Sequence, residues 1–430
     1  MIKGVYSSKR HCSPLKILKK KFLMLKYEQY VFKNGLRLVH IPDESLVAHF
    51  GVVLGTGSRD ELSNEQGIAH FIEHMLFKGT KKRKLYHILS RMEDVGGEID
   101  AYTDKEFIVI NSSFPKQYYE RAVELIADIL FSSTFPDKEI IKEKEVVSEE
   151  ISMYKDSPAE SIFDVFDEIL FGDHPMGHNI LGTEKTLKKI NRTSISNFLN
   201  RQVLPQNTVI CSAGNISLQN AVKKIEKYFQ NFQSDKSIIK RSIPPILDPI
   251  QKTVKMRTHQ AHCIIGRRSY NASSPYKMGM RLITDLLGGP GMNSRLNLRL
   301  REKYGLVYQI DAGYSTFSDC GTFGIYFGTD KSNLSLCQNL IMEEIEKLSR
   351  EKLGTMQLHN LKRQILGQII VGSQNKTNVM ISAAKSFLML DRIWTIDQIA
   401  QEIEQITNSL LLEIAVEQFL NFEPSIIVFQ

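Results

Sequence analysis

Cysteine is scarce in this sequence, and the few cysteines are not arranged in pairs. Their odd number and the lack of a C-x-x-C spacing argue against a disulfide framework and against a zinc site built on thiolates. A reducing compartment fits this pattern best, so a cytoplasmic protein is predicted. The cysteines are Cys12, Cys211, Cys263, Cys320 and Cys337.

Long apolar runs and a dominant charge are missing as well. The longest apolar stretches, such as residues 410–415, are far shorter than the roughly 20 residues of a membrane-spanning helix. Lysine and arginine exceed aspartate and glutamate only by 55 to 48, without the concentrated basic face and motif of a nucleic-acid binder. We therefore predict that the protein has neither a membrane span nor a nucleic-acid partner. The basic run at 78–84 is interpreted as a solvated loop or helix start.

The first 26 residues contain no acidic residue and read as a basic leader, disordered and outside the folded part. The apolar segment after its lysines, residues 22–25, is too short for the core of a secretory signal, which needs about 7 to 15 residues. A transit peptide, a disordered leader and a true start at Met24 all remain open. A transit peptide would move the predicted location from the cytoplasm to the mitochondrial matrix.

Hydrophobic periodicity divides the rest of the chain into two halves with a similar order of strands and helices. The first half, residues 27–229, opens with a predicted hairpin whose turn is Asn34-Gly35. Residues 230–250 lose the periodicity and gather Ser, Asp and Pro, as a linker does. The second half, residues 251–430, repeats the order and includes a predicted helix at 294–304. The predicted fold class is α+β, with two homologous halves that each pack a mainly antiparallel sheet with helices.

One helical segment carries the residues that indicate chemistry. In the predicted helix at 64–77, His70, Glu73 and His74 follow the spacing i, i+3 and i+4 and therefore share one side. Two imidazoles one turn apart can bind one zinc ion, and a carboxylate beside them can accept a proton from the water that zinc activates. This H-x-x-E-H order is the inverse of the commoner H-E-x-x-H.

Such a zinc site needs a third protein ligand that leaves one position open. The predicted helix at 137–155 carries Glu143 and Glu150 seven residues apart, hence on one stripe. Either acid could serve, or the helix could simply be a charged surface helix. The second half has no counterpart, because its corresponding helix at 276–287 lacks histidine and has only Asp285 as an acid.

Taken together, these motifs resemble those of the insulinase/pitrilysin-type zinc metallopeptidases, and most closely the processing-peptidase-like members. The resemblance runs from about Tyr27 to the C-terminus and rests on several motifs in the same order. They are G-S-R-D-E at 57–61, G-I-A-H-F-I-E-H at 67–74, G-G-x-x-x-A-Y-T at 96–103, E-K-E-V-V-S-E-E-I-S-M-Y-K-D-S-P at 143–158, H-N-I-L-G-T at 178–183 and N-S-R-L-N-L-R-L-R-E-K-Y-G-L-V-Y at 293–308.

The resemblance implies a role for each matching residue. It implies one zinc ion per chain, general-base catalysis, an outer acid that orients the ligands, and substrate contacts from both halves, which would face each other around a cavity. The zinc ligands would be His70, His74 and Glu150, the general base Glu73, the orienting acid Glu143, and the substrate contacts Asp100, Ala101, Arg301 and Tyr308.

Asp100 departs from the family pattern, in which asparagine usually precedes the Ala-Tyr-Thr strand. An ionised carboxylate accepts hydrogen bonds but cannot donate them. A substrate contact that needs an amide donor is therefore in question, and a preference for basic residues in the substrate is one consequence.

The function that the resemblance implies is that of a zinc endopeptidase for short or unfolded peptides. The peptide would lie extended along a sheet edge near 100–103. The alternative is a non-catalytic binding or core subunit of a processing-peptidase-like heterodimer. Because this chain keeps both the H-x-x-E-H motif and the Arg301 and Tyr308 pair, an independently active homodimer is favoured, and a heterodimer stays open.

Overall fold

A computed structural model describes residues 26–234, 236, 240–421 and 423–430 of the chain. The predicted leader, apart from Lys26, and four residues of the predicted linker lie outside the described residues. The rest of the predicted linker, at 230–234, 236 and 240–250, contains no helix or strand. None of the helices in the described ranges is both long and apolar enough to cross a membrane.

The first half contains a six-stranded sheet with the order β1-β2-β6-β3-β5-β4. The predicted hairpin is present: β1 pairs antiparallel with β2, and Gly35 takes the positive φ of 83° that the turn requires. All neighbouring pairs are antiparallel except β2 with β6. The strands are β1 Glu28–Val31, β2 Arg37–Pro42, β3 Val47–Leu54, β4 Glu98–Thr103, β5 Ile108–Pro115 and β6 Thr208–Gly214.

Eight α-helices belong to the described part of the first half, and several pack on one face of this sheet around a single apolar core. Their apolar residues recur at helical spacing, which is why each helix buries one side. They are α1 Ile68–Leu76, α2 Leu85–Glu93, α3 Tyr119–Ser132, α4 Asp137–Lys155, α5 Pro158–Phe171, α6 Glu184–Leu187, α7 Arg192–Gln202 and α8 Leu218–Phe229.

The second half contains a five-stranded sheet with the order β7-β11-β8-β10-β9, again antiparallel except for one pair, β7 with β11. Its strands are β7 Gln251–Val254, β8 Ala261–Ser269, β9 Val307–Thr316, β10 Gly321–Thr329 and β11 Ser425–Phe429. Its helices are α9 Lys277–Gly288, α10 Leu334–Arg350, α11 Thr355–Gly372, α12 Lys376–Leu390, α13 Ile396–Gln405 and α14 Asn408–Phe419.

One helix of each half packs on the sheet of the other half. Helix α5 of the first half packs on β8 and β11, where Phe166 and Ile169 join a core with Ile264 and Ile427. Helix α12 of the second half packs on the outer face of the first sheet, against β2, β3, β5 and β6. This exchange gives both sheets an apolar cover on their second face and joins the halves by buried surface.

The predicted α+β class with two halves is confirmed. The segment predicted as a helix at 294–304 forms a helix of the π type at Asn297–Lys303. Helices α6 and α7 and strand β7 were not predicted, because they are short or carry few apolar residues at regular spacing.

Candidate metal centre

Helix α1 presents three polar side chains on the side opposite its buried apolar face. Ile68, Phe71, Ile72, Met75 and Leu76 are buried in the first core. The spacing of 3.6 residues per turn then leaves the two histidines and the glutamate of the motif together on the other side. The spacing that the sequence shows is therefore realised on one short helix.

Helix α4 packs against α1 and brings Glu150 to the two histidines. The Nε2 atoms of His70 and His74 lie 3.2 Å apart. Oε2 of Glu150 is 3.7 Å from Nε2 of His70 and 3.6 Å from Nε2 of His74. In the described part of the chain this is the one group of three His, Cys, Asp or Glu side chains whose ligand atoms lie within 4.8 Å of one another.

His74 is held in one orientation by Glu143, which lies two turns before Glu150 on α4. Nδ1 of His74 donates to Oε1 of Glu143 at 2.9 Å, and the second oxygen of Glu143 is paired with Lys78 at 2.5 Å. Burial would raise the pKa of Glu143, but the hydrogen bonds and charges of His74 and Lys78 lower it overall. Burial would lower the pKa of His74, but the hydrogen bond and charge of Glu143, with smaller contributions from Glu150 and Glu73, raise it.

His70 has a different electrostatic environment, since it is only 8% exposed. Burial, together with the neighbouring His74, lowers the pKa of His70 to about 4. Neutral imidazole is the form that binds metal ions. His70 is therefore a ready ligand at neutral pH.

Glu73 lies beside the cluster without being part of it. Its Oε2 atom is buried and has no hydrogen-bond partner among the described residues. Burial raises the pKa of Glu73; the Thr103 hydroxyl and His74 act in the opposite direction, and the negative charges of Asp100 and Glu150 raise the pKa further. A buried carboxylate with a raised pKa next to a possible metal site is a suitable proton acceptor.

The donor atoms fit a zinc ion. Two imidazole nitrogens and one carboxylate oxygen converge, which is the three-ligand set of catalytic zinc sites that keep a fourth position open. The hydrogen bond from Nδ1 of His74 to Glu143 leaves its Nε2 lone pair directed at the cluster. Nδ1 of His70 is a buried atom without a hydrogen-bond partner among the described residues, and Nε2 of the same ring faces His74.

A cavity of about 310 Å³ opens beside these residues. Glu73, His74 and Glu143 line one side, and strand β4 supplies Asp100 and Ala101. Strand β4 is the edge strand of its sheet, so one row of its backbone groups has no partner strand within the described ranges. The remaining lining residues are Phe77, Lys78, Leu85, Leu89 and Ile99.

The second-half residues Arg301 and Tyr308 are not joined to this cluster. The guanidinium of Arg301 lies 5.6 Å from the centre of the Tyr308 ring, so the two form a cation–π pair. Tyr308 is 81% exposed. Among the described residues, no hydrogen bond, ion pair or ring contact connects either of them to the side chains of His70, His74 and Glu150.

Lys78 is a residue of the site that the sequence interpretation missed. The run at 78–84 was interpreted as a solvated loop or helix start, but Lys78 is paired with Glu143, and Arg83 is paired with Glu124 and Asp128. Lys78 lies four residues after His74, and this one-turn spacing from a predicted zinc ligand was the only available signal.

Sequence comparisons relate both halves to one family of peptidases. Residues 39–184 match the family model described as Insulinase (Peptidase family M16), and residues 189–365 match the one described as Peptidase M16 inactive domain. A Bacillus subtilis protein named uncharacterized zinc protease YmxG is 32% identical over 398 residues, which span 91% of this chain and 96% of that protein. A Rickettsia bellii protein named uncharacterized zinc protease is 28% identical over 92% of this chain and 96% of its own length.

Comparison with solved structures shows the same fold. The crystal structure of a protease from Helicobacter pylori matches with a TM-score of 0.88 and 22% identity, over 95% of this chain and 100% of that one. A Pseudomonas fluorescens structure described as a peptidase M16 inactive domain matches with a TM-score of 0.87 and 18% identity, over 94% of this chain and 98% of that one.

Proposed function

This chain belongs to the insulinase family of peptidases, family M16, and we propose that it is a zinc-dependent endopeptidase that hydrolyses short or unfolded peptides. One observation carries the proposal. The ligand atoms of His70, His74 and Glu150 converge within 4.8 Å, and Glu73 lines a cavity at an open sheet edge directly beside them.

His70, His74 and Glu150 would hold one zinc ion per chain. A zinc ion bound there would supply Lewis acidity, which polarises a peptide carbonyl and lowers the pKa of water. Glu143 and Lys78 support the site indirectly, because Glu143 keeps the proton of His74 on Nδ1, and Lys78 keeps Glu143 ionised. Such outer partners fix the orientation of a ligand ring.

Glu73 would act as the general base. Its unpartnered Oε2 atom accepts a proton from the attacking water and then donates it to the leaving amide nitrogen. The raised pKa of Glu73, which burial causes, suits the first step, because the carboxylate binds the proton more tightly than an exposed one would.

The peptide substrate would lie extended along β4. An extended chain can add to an open sheet edge through backbone hydrogen bonds, and β4 is such an edge. Asp100 and Ala101 would contact its backbone at the mouth of the cavity. As an ionised acid, Asp100 can accept but not donate, which favours substrates with a basic residue nearby.

Arg301 and Tyr308 would bind the substrate or its transition state from the second half. Tyr308 is exposed and Arg301 is half-buried, so a molecule outside this chain can reach both side chains. We propose a homodimer as the active form, with a heterodimer as the alternative. We also propose a cytoplasmic location, because the four described cysteines are free and buried and the fold therefore does not call for an oxidising compartment.

The deciding experiment combines metal analysis with peptide cleavage. Purified protein is analysed for zinc, and a panel of quenched fluorescent peptides is incubated with it in the presence and absence of a chelator. About one zinc per chain and chelator-sensitive cleavage within the peptides are expected. Peptide binding without any cleavage would instead identify the non-catalytic binding subunit.

A further inference from the structure

The helix that carries the two histidines begins against a carboxylate from outside the helix. Its N-cap residue is Gly67, at a φ of 89°, which has no side chain to satisfy the first free N–H groups. Glu61 takes this role. Its Oε2 accepts from the backbone N–H of Gly67 and its Oε1 from that of Ala69, both at 2.9 Å.

Glu61 is committed to this contact. It is 5% exposed, and in the described part of the chain no lysine or arginine forms an ion pair with it; Lys105 instead bonds to the carbonyl of His178 and pairs with Asp167. Burial raises the pKa of Glu61 well above its usual range, although the N–H groups of Ala69 and Gly67 oppose this. Burying a carboxyl group is costly, so its place at this helix end indicates a specific role.

The backbone just before Glu61 is held both by the residues that follow strand β4 and by the second half of the chain. The N–H groups of Ser58 and Arg59 donate to the carbonyls of Asp104 and Lys105, just after strand β4, at 3.1 and 2.9 Å. The guanidinium of Arg59 is buried and pairs with Glu106 at 2.6 Å and with Asp319 of the second half at 2.9 Å. Glu61 therefore extends from a segment that cannot shift independently of β4 or of the second half.

The start of α1 has no room to adjust on its own. A Cβ added at Gly67 would lie 2.5 Å from the carbonyl oxygen of Leu181, and one added at Gly182 would lie 2.4 Å from that of Gln66. The two backbones thus touch directly. His70 is the third residue of α1, within the turn that Glu61 and this contact define.

We propose that Glu61 is a positioning residue of the metal centre. Its two hydrogen bonds fix the position of the first turn of α1 along the helix axis and its rotation about that axis. They thereby fix the distance between Nε2 of His70 and the carboxylate of Glu150. Metal ligands must be placed within about 0.5 Å of their productive geometry, so a small movement of this turn weakens metal binding. This inference rests on the proposed zinc site.

The test variant is Glu61→Gln, in which one of the two acceptor oxygens becomes an amide that cannot accept a bond. The zinc dissociation constant, measured by chelator competition, should rise about 10- to 100-fold, the range for outer partners of metal ligands. The visible spectrum of the cobalt-substituted protein should change, because it reports ligand geometry. For peptide cleavage, kcat should fall while KM stays near the wild-type value, since the substrate contacts lie on β4.

Thr395→Ala is the matched control. Thr395 accepts from the N–H of Gln398 at 3.2 Å and so caps α13 in the second half. This variant should lower the melting temperature but leave zinc affinity and the cobalt spectrum unchanged. If Glu61→Gln folds too poorly for analysis, Glu61→Asp keeps the carboxyl group but shortens the side chain, and an intermediate loss of zinc affinity is expected.

The outcomes separate this inference from the proposed function. Wild-type protein that binds no zinc would overturn both. Wild-type protein that binds zinc, with a Glu61→Gln variant of equal affinity and identical cobalt spectrum, would overturn only the role of Glu61. Equal losses of zinc affinity in Glu61→Gln and Thr395→Ala would also overturn it, because a general loss of stability would then explain both.

Discussion

The ring of His74 is fixed by Glu143, since its Nδ1 atom lies 2.9 Å from Oε1 of that carboxylate. The same ring directs Nε2 toward His70 and Glu150. One imidazole thus joins an orienting acid on one side to a set of ligand atoms on the other. Five predictions follow from the arrangement around it and from the contact between the two halves.

Replacing a histidine ligand should remove the metal. Wild-type protein is expected to contain about one zinc per chain, and His70→Ala or His74→Ala should lose it, because two remaining ligands hold the ion poorly. Elemental analysis of the purified variants measures this. His359→Ala, which changes an exposed histidine of the second half, should keep its zinc. Stoichiometric zinc in the double variant of His70 and His74 would place the metal elsewhere.

Glu143 and Glu150 of α4 should differ in their effect on zinc. Glu150→Gln removes a proposed ligand and should weaken zinc binding more than Glu143→Gln, which removes an orienting partner and should cost about 10- to 100-fold. Chelator competition gives both dissociation constants. Glu149→Gln, at an exposed position next to Glu150, serves as the control and should match the wild type. Equal losses for Glu143 and Glu150 would argue against Glu150 as the direct ligand.

Glu73→Gln should keep zinc and fold but lose catalysis, because the proton acceptor is gone. The expected fall in kcat is about 10²- to 10⁴-fold. In the wild type, kcat/KM should fall as pH decreases through the pKa of Glu73, which burial raises, because only the ionised carboxylate accepts a proton. The activity that remains in Glu73→Gln should not show this fall of kcat/KM at low pH. Turnover at the wild-type rate in this variant would show that another group is the base.

The second-half pair should act on the substrate and not on the metal. Arg301→Ala and Tyr308→Phe are expected to leave zinc content unchanged and to lower kcat/KM, since their proposed contacts are with the peptide or its transition state. Steady-state cleavage of a fluorescent peptide measures this. Lys303→Ala, which removes a neighbouring cation, is the control. Wild-type kinetics in both test variants would remove Arg301 and Tyr308 from the site.

The ion pair between Arg59 and Asp319 should stabilise the joined halves. Burial opposes ionisation of Asp319, but the hydrogen bond and charge of Arg59 lower its pKa overall. Asp319→Asn should reduce the free energy of unfolding by roughly 1.5 to 3 kcal/mol at pH 7. A lowered pKa means that this contribution is present above the ordinary pKa of aspartate, about 3.9, and is lost as pH falls through the folded value.

Denaturant unfolding of wild type and Asp319→Asn at pH 7 and at lower pH measures this difference, which should shrink as the pH falls below 4. Glu346→Gln breaks an exposed pair with Arg350 and should change the unfolding free energy by less than about 1 kcal/mol. A pH-independent difference for Asp319→Asn would mean that its charge is not what stabilises the contact.

Where hydrophobic spacing was regular, the sequence predicted the elements well. Helix α4 at Asp137–Lys155 has the predicted bounds. The π-helix at Asn297–Lys303 was not predictable, because its apolar spacing is compatible with an ordinary helix. The contact of Lys78 with Glu143 and that of Glu61 with the start of α1 were not predictable either, since the sequence does not show which carboxylate or backbone group a charged side chain meets.

The sequence by itself determined that two histidines and a glutamate share one side of a short helix, because residues three and four apart are neighbours on any α-helix. Only the tertiary structure decided that α4 lies against that helix, so that Glu150 meets the histidines while Glu143 takes Nδ1 of His74. It also decided the exchange of α5 and α12 between the halves. These outcomes depend on how well buried surfaces fit one another when they are a hundred or more residues apart in the sequence. Local periodicity does not encode that fit.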